Sequence, residues 1–324
     1  MLLLQIDSFF PVNFFRVFGC AGCNAFTSVW ISTNIACRPA HILYFWSSSS
    51  SSLPEEDSRD GRLQAVDVCA RQRVAIKVID LSAVTEEFRE NFLPREIDCW
   101  KRIKNLNNCF LYREFVKHDY QFAVMELAEF GDLLSFVQKN GAVQEPLGRN
   151  WMIQLVNGLK YLHSRKIAHR DLKMENVLLF RDNIVKICDY GFCKPGIDLS
   201  ETFCGSKSYS APEILSGTTY NMYKSDVWSL GVIGFVMVTN TMPYREDVEH
   251  NDLIVEAQKS RRYRYPSNLM LSHACKTTLD VMMTFDPIQR PDVKRCCSLP
   301  WFQPQPLPDV SHYYPSPQAR LYRR

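Results

Sequence analysis

The chain has 324 residues, 46% of them hydrophobic and 23% charged, with a formal net charge of +3. Those proportions belong to a globular protein large enough for one two-lobed domain or two ordinary ones. The slight positive excess, without a basic stripe interleaved with aromatics, excludes nucleic acid as the main partner. Twelve cysteines are scattered along the sequence, and Cys188 sits inside an apolar strand-like run. That pattern fits reduced thiols in a cytoplasmic protein better than a disulfide framework.

Residues 1–60 differ from the rest. They open "MLLLQIDSFFPVNFF", stay apolar to "HILYFW", then enter a serine tract and the acidic "LPEEDSRD". No cationic start precedes the apolar run and Asp7 interrupts it, which argues against a secretory signal. Residues 17–37 carry no charge over about the length of a membrane span. They contain Asn24, Thr27, Ser28, Ser32, Thr33 and Asn34, which are costly in hydrocarbon, so no membrane partner is expected. Cys20, Cys23, Cys37 and His41 spell C-x-x-C…C-x-x-x-H, but the second half lacks a paired cysteine at zinc-finger spacing. The segment reads as disordered, or as foreign to the working protein, with the serines a linker by composition.

Further along, "RQRVAIKVIDL" (71–81) reads as a strand. Alternation puts Val74, Ile76 and Val78 on one face and Ala75, Lys77 and Ile79 on the other. A lysine among apolar neighbours is ordinarily an edge-strand residue with its stem packed and its head in water. The next stretch, "SAVTEEFRENFLPREIDCWKRIKNL", places Pro94 at the first turn of a helix. Beyond it Glu96, Trp100 and Ile103 share one stripe. A carboxylate on an apolar stripe is rarely buried unless paired, and Lys77 is the available cation.

"EPLGRNWMIQLVNGLKYLHSRK" predicts a long amphipathic helix buried along Met152, Leu155, Val156, Leu159 and Leu162. It leads into "IAHRDLKMENVLLFRDNIVKICDYGF", in which "NVLLF" and "IVKICD" are short strands joined at Arg181, Asp182 and Asn183. Asp171 and Asn176 precede this hairpin and Asp189 follows it. Two acids and an amide so placed are the oxygen donors with which a loop holds magnesium and a phosphorylated substrate. The apolar stretch 227–238 is too short to span a bilayer and predicts a buried helix.

"VAIK", "HRDLKMEN", "DYG" and "APE" occur in that order, and the set resembles the signature of the protein kinases over roughly residues 65–302. "FLPREI", "VMELAEFGDLL", "ETFCGSKSYSAPEIL" and "KSDVWSLGVIGFVMV…MPY" are most similar to the testis-specific serine/threonine kinases of the calcium/calmodulin-kinase-like branch. The resemblance implies an α+β, two-lobed protein kinase fold at 62–302. Its β-rich N-lobe would span about 62–127 and its helical C-lobe about 128–302, with a Pro-rich basic tail at 303–324. It implies ATP and Mg2+ as cofactors and protein serines or threonines as substrates.

Roles follow by motif. Lys77 would contact the α and β phosphates, held by Glu96; Asp171 would be the catalytic base; Lys173 would neutralise the transferring phosphoryl group; Asn176 and Asp189 would hold magnesium. Backbone at Glu126 and Ala128 would meet the adenine edge, with Met125 behind and Ala75 and Leu178 around the ring. Lys173 and Ser206, in the substrate-facing loop, imply serine/threonine specificity, and Glu213 would pair with Arg290. Tyr190 replaces the usual phenylalanine after the metal-binding aspartate, adding a hydroxyl that tunes switching. Thr202 would be the activating phosphorylation site, modified by an upstream kinase or by the chain itself, with its phosphate pairing to Arg170. Asp132 and Glu175 match acids that select arginine ahead of the target residue.

One element of the pattern is missing. Kinases place G-x-G-x-x-G upstream of the strand lysine, where its N–H groups cover the phosphates. Here Gly61 stands alone, "GCAG" at 19–22 is too distant, and either Val66 or Val68 would be the apolar residue that follows the loop. The gap keeps open a second reading, a kinase-shaped pseudokinase scaffold that binds ATP weakly.

Overall fold

The structure, a computed structural model, describes residues 3–7, 14–18, 41–43, 63–67 and 72–303, apart from 197–198, 202–204 and 245–249. The chain divides into two compact units, Met1–Glu129 and Phe130–Arg324. Cys20, Cys23 and Cys37 lie outside the described residues, as do Thr202 and the tail from 304 onward.

In the first unit, β1 (Leu3–Asp7) pairs with β2 (Phe14–Phe18). A separate antiparallel sheet joins β3 (His41–Leu43), β4 (Leu63–Asp67), β5 (Gln72–Asp80), β6 (Leu111–Lys117) and β7 (Tyr120–Glu126). Its order is β3-β5-β7-β6, with β4 also on β5. β5 is flanked on both sides, and Val74 to Ile79 are all buried, so Lys77 is not an edge-strand residue with its head in water. Val66 pairs opposite Arg73 in the β4–β5 ladder, whereas Val68 lies outside the described residues. Among the described residues no further strand pairs with β4.

Helix α1 (Leu93–Lys101) carries Pro94 in its first turn, where a missing N–H leaves no bond unmade. Its inward face carries Glu96 and Trp100, at 3% and 2% exposure, while Ile103, expected on the same stripe, is buried just past the helix end. Trp100 Nε1 donates to Cys109 O at 2.7 Å, tying the helix to the chain that enters β6.

The second unit is mainly helical. α2 (Leu133–Asn140) and α3 (Glu145–Ser164) come first, then three short strand pairs. β8 (Ile167–Ala168) pairs with β11 (Lys194–Pro195), β9 (Val177–Leu179) with β10 (Val185–Ile187), and β12 (Leu199–Ser200) with β13 (Tyr220–Asn221). The β9–β10 turn falls at Arg181–Asn183 as predicted, with Asp182 and Asn183 in left-handed conformations (φ 58° and 59°). Gln154 of α3 clamps the hairpin, donating to Asn183 O at 2.8 Å and accepting from Val185 N at 3.0 Å.

After the short α4 (Pro212–Leu215) comes α5 (Met222–Thr239), buried without a break from Leu230 to Thr239. A helix apolar all round belongs in a core. Among the described residues no helix is long and apolar enough to cross a membrane. α6 (Asn251–Lys259), α7 (His273–Met282) and α8 (Val293–Cys296) complete the unit.

Glu213 and Arg290 form the expected bridge: two parallel bonds of 2.6 and 3.0 Å, with the arginine fully buried. The guanidinium also lies 5.0 Å from the Trp228 ring. Removing one partner of a buried pair strands the other charge in a medium that solvates it poorly. Glu213→Ala is therefore expected to lose about 3–5 kcal/mol of stability. Urea unfolding checks this, and a loss below about 1 kcal/mol would contradict it.

Candidate active site

The paired charges inferred from sequence are together. Lys77 Nζ lies 2.5 Å from Glu96 Oε1, and both residues are buried, at 5% and 3% exposure. β5 supplies the ammonium and the inward stripe of α1 the carboxylate. Beside them, Ala75 pairs directly with Met125 in the β5–β7 ladder, and both are buried. Glu126 N donates to Phe110 O at 3.2 Å, and the Glu126 carboxylate accepts from Phe110 N at 2.8 Å. The Glu126 amide, expected to be open to a ligand, is therefore occupied within the sheet end. Ala128, two residues on, is also buried.

In the second unit the loop that starts at His169 hangs from one carboxylate. Asp226 of α5, 1% exposed, accepts His169 N at 2.9 Å and Arg170 N at 2.8 Å. His163 Nε2 lies 2.9 Å from the same group. Arg170 takes a left-handed φ of 70°, which bends the chain just before Asp171. His169 is fully buried, with Nε2 at 3.0 Å from Cys188 O and Nδ1 at 3.3 Å from Asp171 N. A carbonyl can only accept and an amide only donate, so these contacts assign the neutral tautomer with hydrogen on Nε2. Neither His169 nor Asp226 was assigned from sequence. The detectable signal was an acid at the start of an otherwise apolar helix.

Asp171, 5% exposed, collects donors from three places. Oδ2 lies 3.0 Å from Lys173 Nζ and 3.2 Å from Asn176 Nδ2, while Oδ1 accepts Ser206 N at 3.0 Å and Ser206 Oγ at 3.1 Å. Lys173 Nζ also donates to Ser206 Oγ at 3.1 Å. Ser206, expected to face the substrate, is committed to the base and its lysine. Burial pulls the Lys173 ammonium toward easier deprotonation, but Asp171, through charge and hydrogen bond, with Glu175 and Asp189 outweighs it, so its pKa ends above the ordinary lysine range.

Asn176 Nδ2 donates to Asp171 O at 2.8 Å, which orients the amide and leaves its Oδ1 as the donor atom for a hard cation. Asp189 leaves β10 at a left-handed φ of 62°. One carboxylate and one amide oxygen suit magnesium, which keeps much of its shell as water and phosphate oxygen. Leu178 is buried in β9. The Arg170 Nη2 sits 3.5 Å from both Ser200 Oγ and Tyr220 OH, at the β12–β13 pair just ahead of 202.

The two acids expected to read substrate arginine differ. Asp132 is 3% exposed and caps α2: Oδ1 accepts Ser135 N and Oδ2 accepts Ser135 Oγ, both at 2.8 Å. It is thus spent on the helix terminus. Glu175, in the single turn Met174–Asn176, has a buried Oε2 with no hydrogen-bond partner.

Residues 62–302 match the protein kinase domain family. The chain belongs to the protein kinase family. It is 37% identical over 228 residues to testis-specific serine/threonine-protein kinase 4 of Homo sapiens, a match covering 65% of this chain and 69% of that one. Similarity to testis-specific serine/threonine-protein kinase 1 of Mus musculus is 38% over 240 residues, covering 72% and 65%. With testis-specific serine/threonine-protein kinase 3 of Homo sapiens it is 36% over 236 residues, covering 71% and 87%. The SNF-related serine/threonine-protein kinase of Homo sapiens is further away, at 34% over 239 residues and 30% of that protein's length. These relatives place the chain among kinases of the serine/threonine type.

Within this kinase site Gly205 permits the approach of Ser206 to Asp171. Its φ is +89°, and a Cβ there would stand 2.6 Å from Arg170 O and 3.4 Å from Asp171 Oδ1. An L side chain would be strained in this conformation and would push the two loops apart. Gly205→Ala is expected to lower kcat by on the order of 10², as small displacements at a reacting centre do. Steady-state kinetics on a peptide substrate measures it; an unchanged kcat would show that the close approach does not matter.

Proposed function

We propose that the chain transfers the γ-phosphoryl group of ATP to serine and threonine hydroxyls of proteins. The observation that carries this reading is the Asp171 carboxylate, buried, oriented by Asn176 and faced by the Lys173 ammonium. In this reading Asp171 accepts the substrate hydroxyl's proton as the oxygen attacks. Lys173 stabilises charge on the transferring group, and Lys77, held by Glu96, grips the α and β phosphates. Asn176 and Asp189 hold magnesium, which when bound neutralises the phosphates. Ala75, Met125, Leu178, the Glu126 carbonyl and Ala128 receive adenine.

Glu175 then selects a basic residue ahead of the target, supported by its buried carboxylate oxygen without a partner. Phosphate on Thr202, added by an upstream kinase or by the chain itself, orders the activation segment through Arg170. Seven described cysteines are thiols, which supports a reducing, cytoplasmic setting.

The test is phosphorylation of a serine peptide library. Asp171→Asn is expected to lose about 10² to 10⁴ in kcat while still binding ATP. An Asp171→Asn enzyme of unchanged kcat would overturn the reading. In the same assay Glu175→Gln should erase enrichment for upstream arginine, and Thr202→Ala should lower activity; no change in either removes that assignment.

A second reading, a scaffold with weak ATP binding, is favoured by the absence of G-x-G-x-x-G before Lys77. Each lost hydrogen bond to a charged group costs about 1.5–3 kcal/mol. Losing two weakens nucleotide binding roughly 10²-fold or more. Calorimetric titration of ATP into this chain, into a variant with an intact glycine-rich hairpin, and into Lys77→Ala decides between them. The hairpin variant is expected to bind far more tightly; equal affinity would show that the natural segment makes a working cover.

A further inference from the structure

The segment that carries Asp189 is pinned by a bond that a phenylalanine in its place could not make. Tyr190 is fully buried, and its hydroxyl donates to Ile187 O at 2.9 Å. That bond closes a loop of the chain around Cys188 and Asp189. The neighbouring groups hold the same loop from other sides. His169 Nε2 donates to Cys188 O at 3.0 Å, Cys188 N donates to Asn176 O at 2.9 Å, and Cys193 N donates to Tyr190 O at 3.0 Å. The Tyr190 ring meets His169 edge to face, with centroids 5.7 Å apart. At the centre of these bonds Asp189 takes a φ of 62°, a region that persists only where the surroundings over-determine it.

From this geometry we propose that Tyr190 is a positioning residue: its hydroxyl bond to Ile187 O holds the left-handed turn at Asp189 and so sets the direction of that carboxylate. The proposal rests on the reading of Asp189 as a magnesium ligand only for its effect on activity. Packing of the ring against His169 needs no hydroxyl, so Tyr190→Phe separates the two contributions. It removes one donor, keeps the ring, and leaves the Ile187 carbonyl without that partner.

The experiment is amide hydrogen exchange on the whole chain, free of nucleotide and magnesium, comparing Tyr190→Phe with the natural sequence. Exchange at Asp189, Tyr190 and Gly191 is expected to quicken by about 3- to 10-fold, the range of one net hydrogen bond. Amides of the β9–β10 strands should stay unchanged. Equal exchange at the three amides would overturn the proposal, and so would an increase spread evenly over 177–193, which would mark the hydroxyl as general stabilisation. A magnesium titration of phosphoryl transfer accompanies it, with the half-saturating concentration expected to rise about 3- to 10-fold. Faster local exchange with an unchanged magnesium requirement upholds the positioning role and counts instead against Asp189 as the ligand.

Discussion

The second unit of this molecule depends on a carboxylate placed where a carboxylate is expensive. Asp226 belongs to α5, the helix buried on every side, and is itself almost wholly removed from water. An isolated charge there would destabilise the unit by several kcal/mol, so the arrangement persists only because donors converge on it. Those donors are the successive backbone amides of His169 and Arg170, with the His163 ring alongside. Two adjacent N–H groups can reach one carboxylate only if the chain bends between them. The left-handed Arg170 is that bend, and its strain is repaid by bonds to a charged acceptor. The core helix thereby fixes the exit direction of the loop that bears the base.

From that anchor the order propagates through hydrogen bonds rather than through packing alone. Asp171 is oriented by Asn176, whose amide also ties back to the loop's own carbonyl, and it reaches forward to Ser206 in the activation segment. Lys173 touches both Asp171 and Ser206, so the ammonium cannot be displaced without disturbing the segment that carries Ser206. His169 extends the chain of contacts to Cys188 and the Tyr190 ring. Asp171, Asn176, Lys173 and Ser206 are thus parts of one polar network in the second unit. Such networks specify geometry strongly when every member is satisfied.

Much of this was legible from residue order, for reasons that differ by element. Lys77 and Glu96 stood out because periodicity of two and of 3.6 put charges on apolar faces, and misplaced charges must be paired. The β9–β10 hairpin declared itself through its short apolar runs and its Asp-Asn turn. Lys77's position on a central strand was not legible, because edge and centre are decided by which other strands pair with it. Asp132 could be read either as a surface acid or as an acid that holds substrate arginine. Only the path of the chain into α2 shows Ser135 occupying both of its oxygens. His169 and Asp226 were silent for a similar reason: they lie 57 residues apart and serve each other's backbone and side chain, a relation with no period to detect.

The balance of charges bears on whether this fold is built for chemistry. A scaffold of the same shape needs a packed core, caps and the Glu213–Arg290 brace, all of which act on stability. It does not need an ammonium and a carboxylate buried together on β5 and α1. Replacing such a pair with apolar side chains is often neutral or stabilising. Nor does it need a lysine lodged against a buried aspartate, where burial works against the ammonium and the neighbouring carboxylates must offset it. Folding alone would tolerate the loss of Lys77, Glu96 and Lys173 once apolar groups filled their places. Their presence in sites that desolvate them supports the proposed handling of phosphate.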